Sequence, residues 1–128
     1  MNKEQLNSLS KIILDASIEV HQNLGPGLLE SVYELCLYKE LKTRGLNVHR
    51  QVPVPIIYKN EELKADFRID ILVENEIIIE LKAVEIMLSV HQAQLLTYLK
   101  LADKRLSFLI NFNVPRLIDG FKRMVNNF

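Results

Sequence analysis

Ile77-Ile78-Ile79-Glu80-Leu81-Lys82-Ala83-Val84 places a glutamate and a lysine two residues apart inside a run of aliphatic side chains. The run has the composition of a buried strand. Side chains alternate along a strand, so Glu80 and Lys82 share a face. Buried charges are costly unless they are paired, hydrogen-bonded or bound to a metal. A structural ion pair on an edge strand is the plain alternative, but the unbroken aliphatic flanks point to a central strand covered on both faces. An acid and a base side by side on such a strand suggest a reactive site.

Outward from this run, residues 67–73 form a second apolar strand, and Glu74-Asn75-Glu76 reads as the hairpin turn between the two. Asp70 lies in that strand and can approach Glu80 across the hairpin, at a distance that depends on register. Arg68, on the same strand face, is the alternative partner for Asp70. Asp66 reads as a solvated turn residue at the strand entrance. Residues 48–58 are β-branched but carry Pro53 and Pro55, which predicts one or two edge strands with a break. An exposed edge at residues 54–58 could pair between chains and make a homodimer. Lys59-Asn60-Glu61-Glu62 reads as a turn.

Leu6, Leu9, Ile13, Ala16 and Val20 recur at helical spacing and predict an amphipathic helix over residues 5–22. Gly25-Pro26-Gly27 breaks it. A second helix is expected over residues 28–44, with Gly27 as N-cap, Glu30 at its third position, and Leu28, Leu29, Val32, Leu35 and Cys36 on its apolar side; Gly45 stops it. After the central strand, Ser89 with Gln92 reads as a capping box for a helix reaching residue 102. Residues 106–112 make a further buried strand, joined to the central one by that helix as a crossover. The tail from Pro115 carries Ile118, Phe121 and Val125 and suits a short helix or a strand. The expected fold is an α/β sandwich with a mixed sheet, in a single domain spanning residues 1–128.

The 128 residues are 48% hydrophobic and 25% charged, an ordinary globular composition. Sixteen basic and 16 acidic residues balance, so any nucleic acid must be met by a local patch. Cys36 is the lone cysteine, which excludes an internal disulfide and a zinc–cysteine cluster and reads as a buried thiol. Residues 1–5 lack a signal-peptide pattern, no apolar run approaches the ~20 residues of a membrane span, and the cytoplasm is the expected compartment.

Two carboxylates converging in a dry site repel unless a cation joins them. A small number of hard oxygen ligands suits magnesium or manganese. Lys82 cannot ligate that ion while protonated, but it can orient a water or offset charge in the transition state. These roles together describe metal-assisted phosphodiester hydrolysis.

Asp70 followed by Glu80-Leu81-Lys82 after a hairpin resembles the PD-(D/E)XK nuclease superfamily. Gly27-Leu28-Leu29-Glu30-Ser31-Val32-Tyr33 resembles the signature of the GxxExxY protein family, and Gln94-Leu95-Leu96-Thr97-Tyr98 resembles the Gln-xxx-Tyr element of exonuclease branches. Ile69 stands where proline would complete the pattern before Asp70. The resemblance spans about residues 10–125. It implies a restriction-endonuclease-like three-layer sandwich with a helix-β-β-β-helix-β core. It further implies that Asp70, Glu80 and the Leu81 carbonyl bind Mg2+ or Mn2+, that Glu30 adds an acid or supports one, that Lys82 positions the attacking water, and that Gln94 and Tyr98 line the site.

Bland alternatives stand beside these roles. Glu30 suits a helix N-terminus through the dipole alone. Tyr33 reads as a packing residue with its hydroxyl tied to a polar partner. His91, Gln94 and Tyr98 share a face flanking the stripe of Leu95, Leu96, Leu99 and Ala102, a usual place for solvated side chains. His21 suits a helix C-terminus and His49 has no functional case. Lys39, Lys42 and Arg44, and Lys100, Lys104 and Arg105, are two clusters that could hold phosphates, although a solvated face explains each one separately. The expected activity is a metal-dependent nuclease on DNA or RNA. The alternatives are a non-catalytic nucleic-acid- or protein-binding module on the same fold, and a hydrolase of a small phosphoester.

Overall fold

A computed structural model describes residues 1–64 and 67–128, so Asp66 lies outside the described residues. In chain order the elements are α1 (Lys3–Leu24), α2 (Glu30–Thr43), β1 (Val48–Pro53), β2 (Ile56–Tyr58), β3 (Glu61–Leu63), β4 (Arg68–Val73), β5 (Ile77–Lys82), α3 (Ser89–Leu101), β6 (Leu106–Asn111), a 3-10 turn (Leu117–Gly120) and β7 (Phe121–Val125). The tail therefore takes both of its expected forms.

Five strands form one mixed sheet in the order β1-β4-β5-β6-β7, and β2 and β3 pair separately as a ribbon. β5 is central, antiparallel to β4 and parallel to β6, and α3 is the crossover that a parallel neighbour requires. Ile77, Ile79 and Leu81 pack with Ile71, Val73 and the buried faces of α1 and α2. Ile78 points the other way, to Leu72, Leu109, Leu95 and Leu99 beneath α3. Helices thus cover both faces of the sheet, which is why the central strand is aliphatic throughout. Each fully buried isoleucine here contributes roughly 1.5–3 kcal/mol of burial free energy. No helix among the described residues is long and apolar enough to cross a membrane.

α1 buries Leu6, Leu9, Ile13, Ala16 and Val20 as its periodicity predicts, and Asn2 with Gln5 closes a capping box at its start. α2 departs from expectation. It begins at Glu30 with Leu29 as N-cap, so Gly27 is not the cap and Glu30 is its first residue rather than its third. Its buried side is Tyr33, Glu34, Leu37 and Leu41, whereas Leu28, Leu29, Val32 and Leu35 are exposed and Cys36 is half-buried. Tyr33 is the strongest anchor on the buried side. Its hydroxyl donates to the Gly25 carbonyl at 2.6 Å and accepts from the Leu28 N–H at 3.1 Å. Its ring stacks on Phe112 with centroids 4.6 Å apart. The glycines flanking Pro26 take φ of +71° and +94°, a region that glycine enters without Cβ penalty. Tyr33→Phe keeps the stack and strips both hydroxyl bonds; it should lower unfolding free energy by about 1–3 kcal/mol in urea titration.

The N-cap of α3 is Leu88, whose N–H donates to His91 Nδ1 at 3.2 Å, in place of the expected Ser89 and Gln92 box. Only Lys59 and Asn60 form the ribbon turn, both at positive φ as a two-residue hairpin demands, and Glu61 and Glu62 belong to β3. Ile57 and Tyr58 are exposed as the edge reading expects, but Val54 is buried and donates its N–H to the Phe67 carbonyl at 3.0 Å.

Candidate active site

The β4–β5 ladder runs through Val73↔Ile77, Leu72↔Ile78 and Ile71↔Ile79 and goes no further. The next positions in that register are Asp70 and Glu80. There the strands part, and side chains replace the ladder. The Asp70 N–H donates to Glu80 Oε1 at 3.1 Å, and the Leu81 N–H donates to Asp70 Oδ2 at 2.9 Å. On the other side, β1 pairs Arg50 with Ile71 and Val52 with Ile69, passing over Gln51 opposite Asp70. Gln51 sits at φ +52°. Alternation slips here too, since Ile69 and Leu72, three apart, both pack on the α3 side. Asp70 therefore stands in an opening of the sheet.

Glu80 is 8% exposed. Burial, and then the Asp70 charge, push its carboxyl up to about 9. Burial also raises Asp70, with the Glu30 charge adding to the rise. The two carboxyls hydrogen-bond to each other, so the pair retains a proton at neutral pH. Lys82 opposes both rises through its charge, and its half-buried ammonium has no hydrogen-bond or ion-pair partner among the described residues.

Glu30 is exposed at the start of α2, within electrostatic reach of Asp70. One turn on, Glu34 is 7% exposed. Its Oε2 accepts from Arg50 Nε and Nη2 at 3.1 and 3.0 Å, and its Oε1 accepts from Gln51 Nε2 at 2.8 Å. Burial and the Asp70 charge raise its pKa. Glu34 escaped the sequence reading, although its four-residue spacing from Glu30 on one helix face was the available signal. Tyr98 packs edge-on against Phe67 with centroids 3.8 Å apart, and its hydroxyl pKa rises through burial and through the charges of Glu80 and Asp70. Gln94, one turn earlier, is exposed and makes no hydrogen bond to a described residue.

Several of the remaining candidates have partners inside the fold. His21 is buried and its Nε2 lies 2.8 Å from the Val114 carbonyl, tying α1 to the segment after β6. Arg44 is paired with Asp15 and Glu40, Lys42 donates to the Tyr38 hydroxyl at 3.2 Å, and Arg105 donates to the Met1 carbonyl. The basic clusters are thus partly consumed by internal partners.

Among the described residues no three His, Cys, Asp or Glu side chains converge closely enough to hold a metal ion. What the site offers is a buried and a half-buried carboxyl that together hold a proton, with the Leu81 backbone between them and Lys82. That donor set is all oxygen and short of a full shell. It fits magnesium or manganese, which keep several waters, better than an ion that needs an all-protein cage.

Fold and site together define an α/β protein with two acids and a lysine at an opened central sheet. Residues 7–124 match the family model of the PD-(D/E)XK nuclease superfamily, and the chain belongs to that superfamily. The five-stranded mixed sheet and three helices are consistent with its restriction-endonuclease-like fold. Divalent metals are general among its nucleases. No curated protein and no solved structure matched the chain.

Proposed function

We propose that this chain hydrolyses phosphodiester bonds in DNA or RNA with magnesium or manganese. The observation that carries this reading is the tying of Asp70 and Glu80 to each other's strands at the opening, with Lys82, unpartnered among the described residues, on Glu80's strand face. Asp70, Glu80 and the Leu81 carbonyl would hold the ion, with Glu30 as an additional acid toward its water shell. When bound, the ion supplies positive charge to the phosphoryl oxygens and acidifies water. Lys82 holds the attacking water in line and offsets negative charge that builds on the phosphate. Tyr98 and Gln94 border the path of the nucleic-acid strand along α3.

Purified protein should cleave DNA or RNA with millimolar Mg2+ or Mn2+ and stop on chelation. Calorimetry in buffers of different ionisation enthalpy should find Mn2+ binding with release of up to one proton near pH 7, the proton the carboxyl pair retains. A folded protein that neither binds Mn2+ at millimolar concentration nor cleaves would instead support a non-catalytic binding module. The internal pairing of Arg44 and Arg105 and the net charge of 0 favour that second reading.

A further inference from the structure

Gln51 is a non-glycine residue at φ +52° in the middle of an edge strand, directly opposite Asp70. A side chain in the left-handed region costs free energy and persists only where its surroundings enforce it. Glu34 supplies that enforcement. Its two carboxylate oxygens are divided between Gln51 and Arg50, consecutive residues of β1. Arg50 is held further by the Tyr38 ring, 5.6 Å from its guanidinium carbon. The carboxylate is nearly buried on the face of α2 that packs against the sheet. Breaking one partner of such a buried network leaves the others unsatisfied, so the contacts act together.

We infer that Glu34, Arg50 and Gln51 form a positioning clamp: α2 grips the edge strand at its kink and keeps β1 from pairing with Asp70. Were Gln51 to relax into regular strand geometry, β1 could form the ladder contact that is now omitted and draw Asp70 toward the edge. Its carboxylate would then leave the Leu81 N–H, and the separation of Asp70 from Glu80 would change. Glu34 does not join the two acids as a third close ligand, so it acts through Gln51 and Arg50 rather than on the ion. The clamp rests on the proposed function only for its purpose; its effect on Asp70 is testable without metal or activity.

The experiment is amide hydrogen exchange on the metal-free chain, followed by Mn2+ titration of the same samples. Glu34→Ala and Gln51→Ala should each speed exchange of the Asp70 and Leu81 amides at least tenfold, with Ile78 and Ile79 unchanged. Glu34→Gln keeps an oxygen acceptor toward Gln51 and should show a smaller effect. Gln51→Ala keeps the strain of the positive φ and removes only the amide that Glu34 Oε1 holds, leaving Arg50 to pair the carboxylate, so it remains informative if Glu34→Ala fails to fold. Mn2+ affinity should fall by about 10–100-fold in the variants, the usual loss when outer support of a metal ligand goes. Wild-type exchange rates at Asp70 and Leu81 in both variants would overturn the clamp. Faster exchange in the variants with no Mn2+ binding by the wild type would support the clamp and overturn the metal reading instead.

Discussion

Lys82→Ala should lower metal-dependent cleavage of nucleic acid by about 10²–10³-fold, the loss typical of removing one preorganised electrostatic group. It should leave Mn2+ affinity unchanged or tighter. Lys82 is not a ligand in this account, and its positive charge opposes a cation at Asp70 and Glu80. Asp70→Ala should behave differently, losing cleavage and Mn2+ affinity together, because it deletes an oxygen donor. The split between the two variants separates a chemical role for the lysine from a structural one. Equal cleavage by wild type and both variants would place the activity in a contaminant or at another site.

The second large effect is on stability against pH. The Glu80 carboxyl is pushed up to about 9 in the fold, from an ordinary 4.5, and Asp70 and Glu34 are raised as well. Between those values the native state keeps a proton that the unfolded chain has released. Stability is therefore greatest below the unfolded pKa and falls as pH rises, by roughly 1.4 kcal/mol per pH unit for each retained proton. Thermal unfolding of metal-free protein should show Tm dropping on the order of 10 °C between pH 5 and pH 9. Glu80→Gln cannot ionise and should remove most of that slope. Saturating Mn2+ should flatten it, since the ion takes the place of the proton and binds more tightly as pH rises. A Tm that stays level or climbs in metal-free wild type would mean that Glu80 is already ionised in the fold.

The central hairpin was legible because its physics is local. Ile77 to Ile79 and the turn at Glu74-Asn75 declare two buried strands, and the two-residue period puts Glu80 and Lys82 together without further information. α2 misled for the opposite reason. Counting apolar residues favours the side of Leu28, Leu29, Val32 and Leu35, yet the sheet receives Tyr33, Leu37 and Leu41 with a glutamate among them. Glu34 can be buried because Arg50 and Gln51, distant in sequence, satisfy it. Pattern counting prices a glutamate as exposed and cannot see a partner 16 residues away. The opening at Asp70 was hidden similarly. A glutamine carries no turn signal, and its left-handed backbone is imposed by tertiary contacts rather than by its own preference. Proximity of Asp70 to Glu80 could be anticipated from the hairpin, but the exchange of ladder bonds for side-chain bonds could not.

The most direct test is a crystal structure of the chain soaked in Mn2+, with anomalous scattering used to locate the ion. One strong site is expected within about 2.1–2.3 Å of oxygens from Asp70, Glu80 and the Leu81 carbonyl, with waters completing six-coordinate geometry. The direct Asp70–Glu80 hydrogen bond should be gone. Anomalous density elsewhere, or none while those two carboxyls still share their proton, would contradict it.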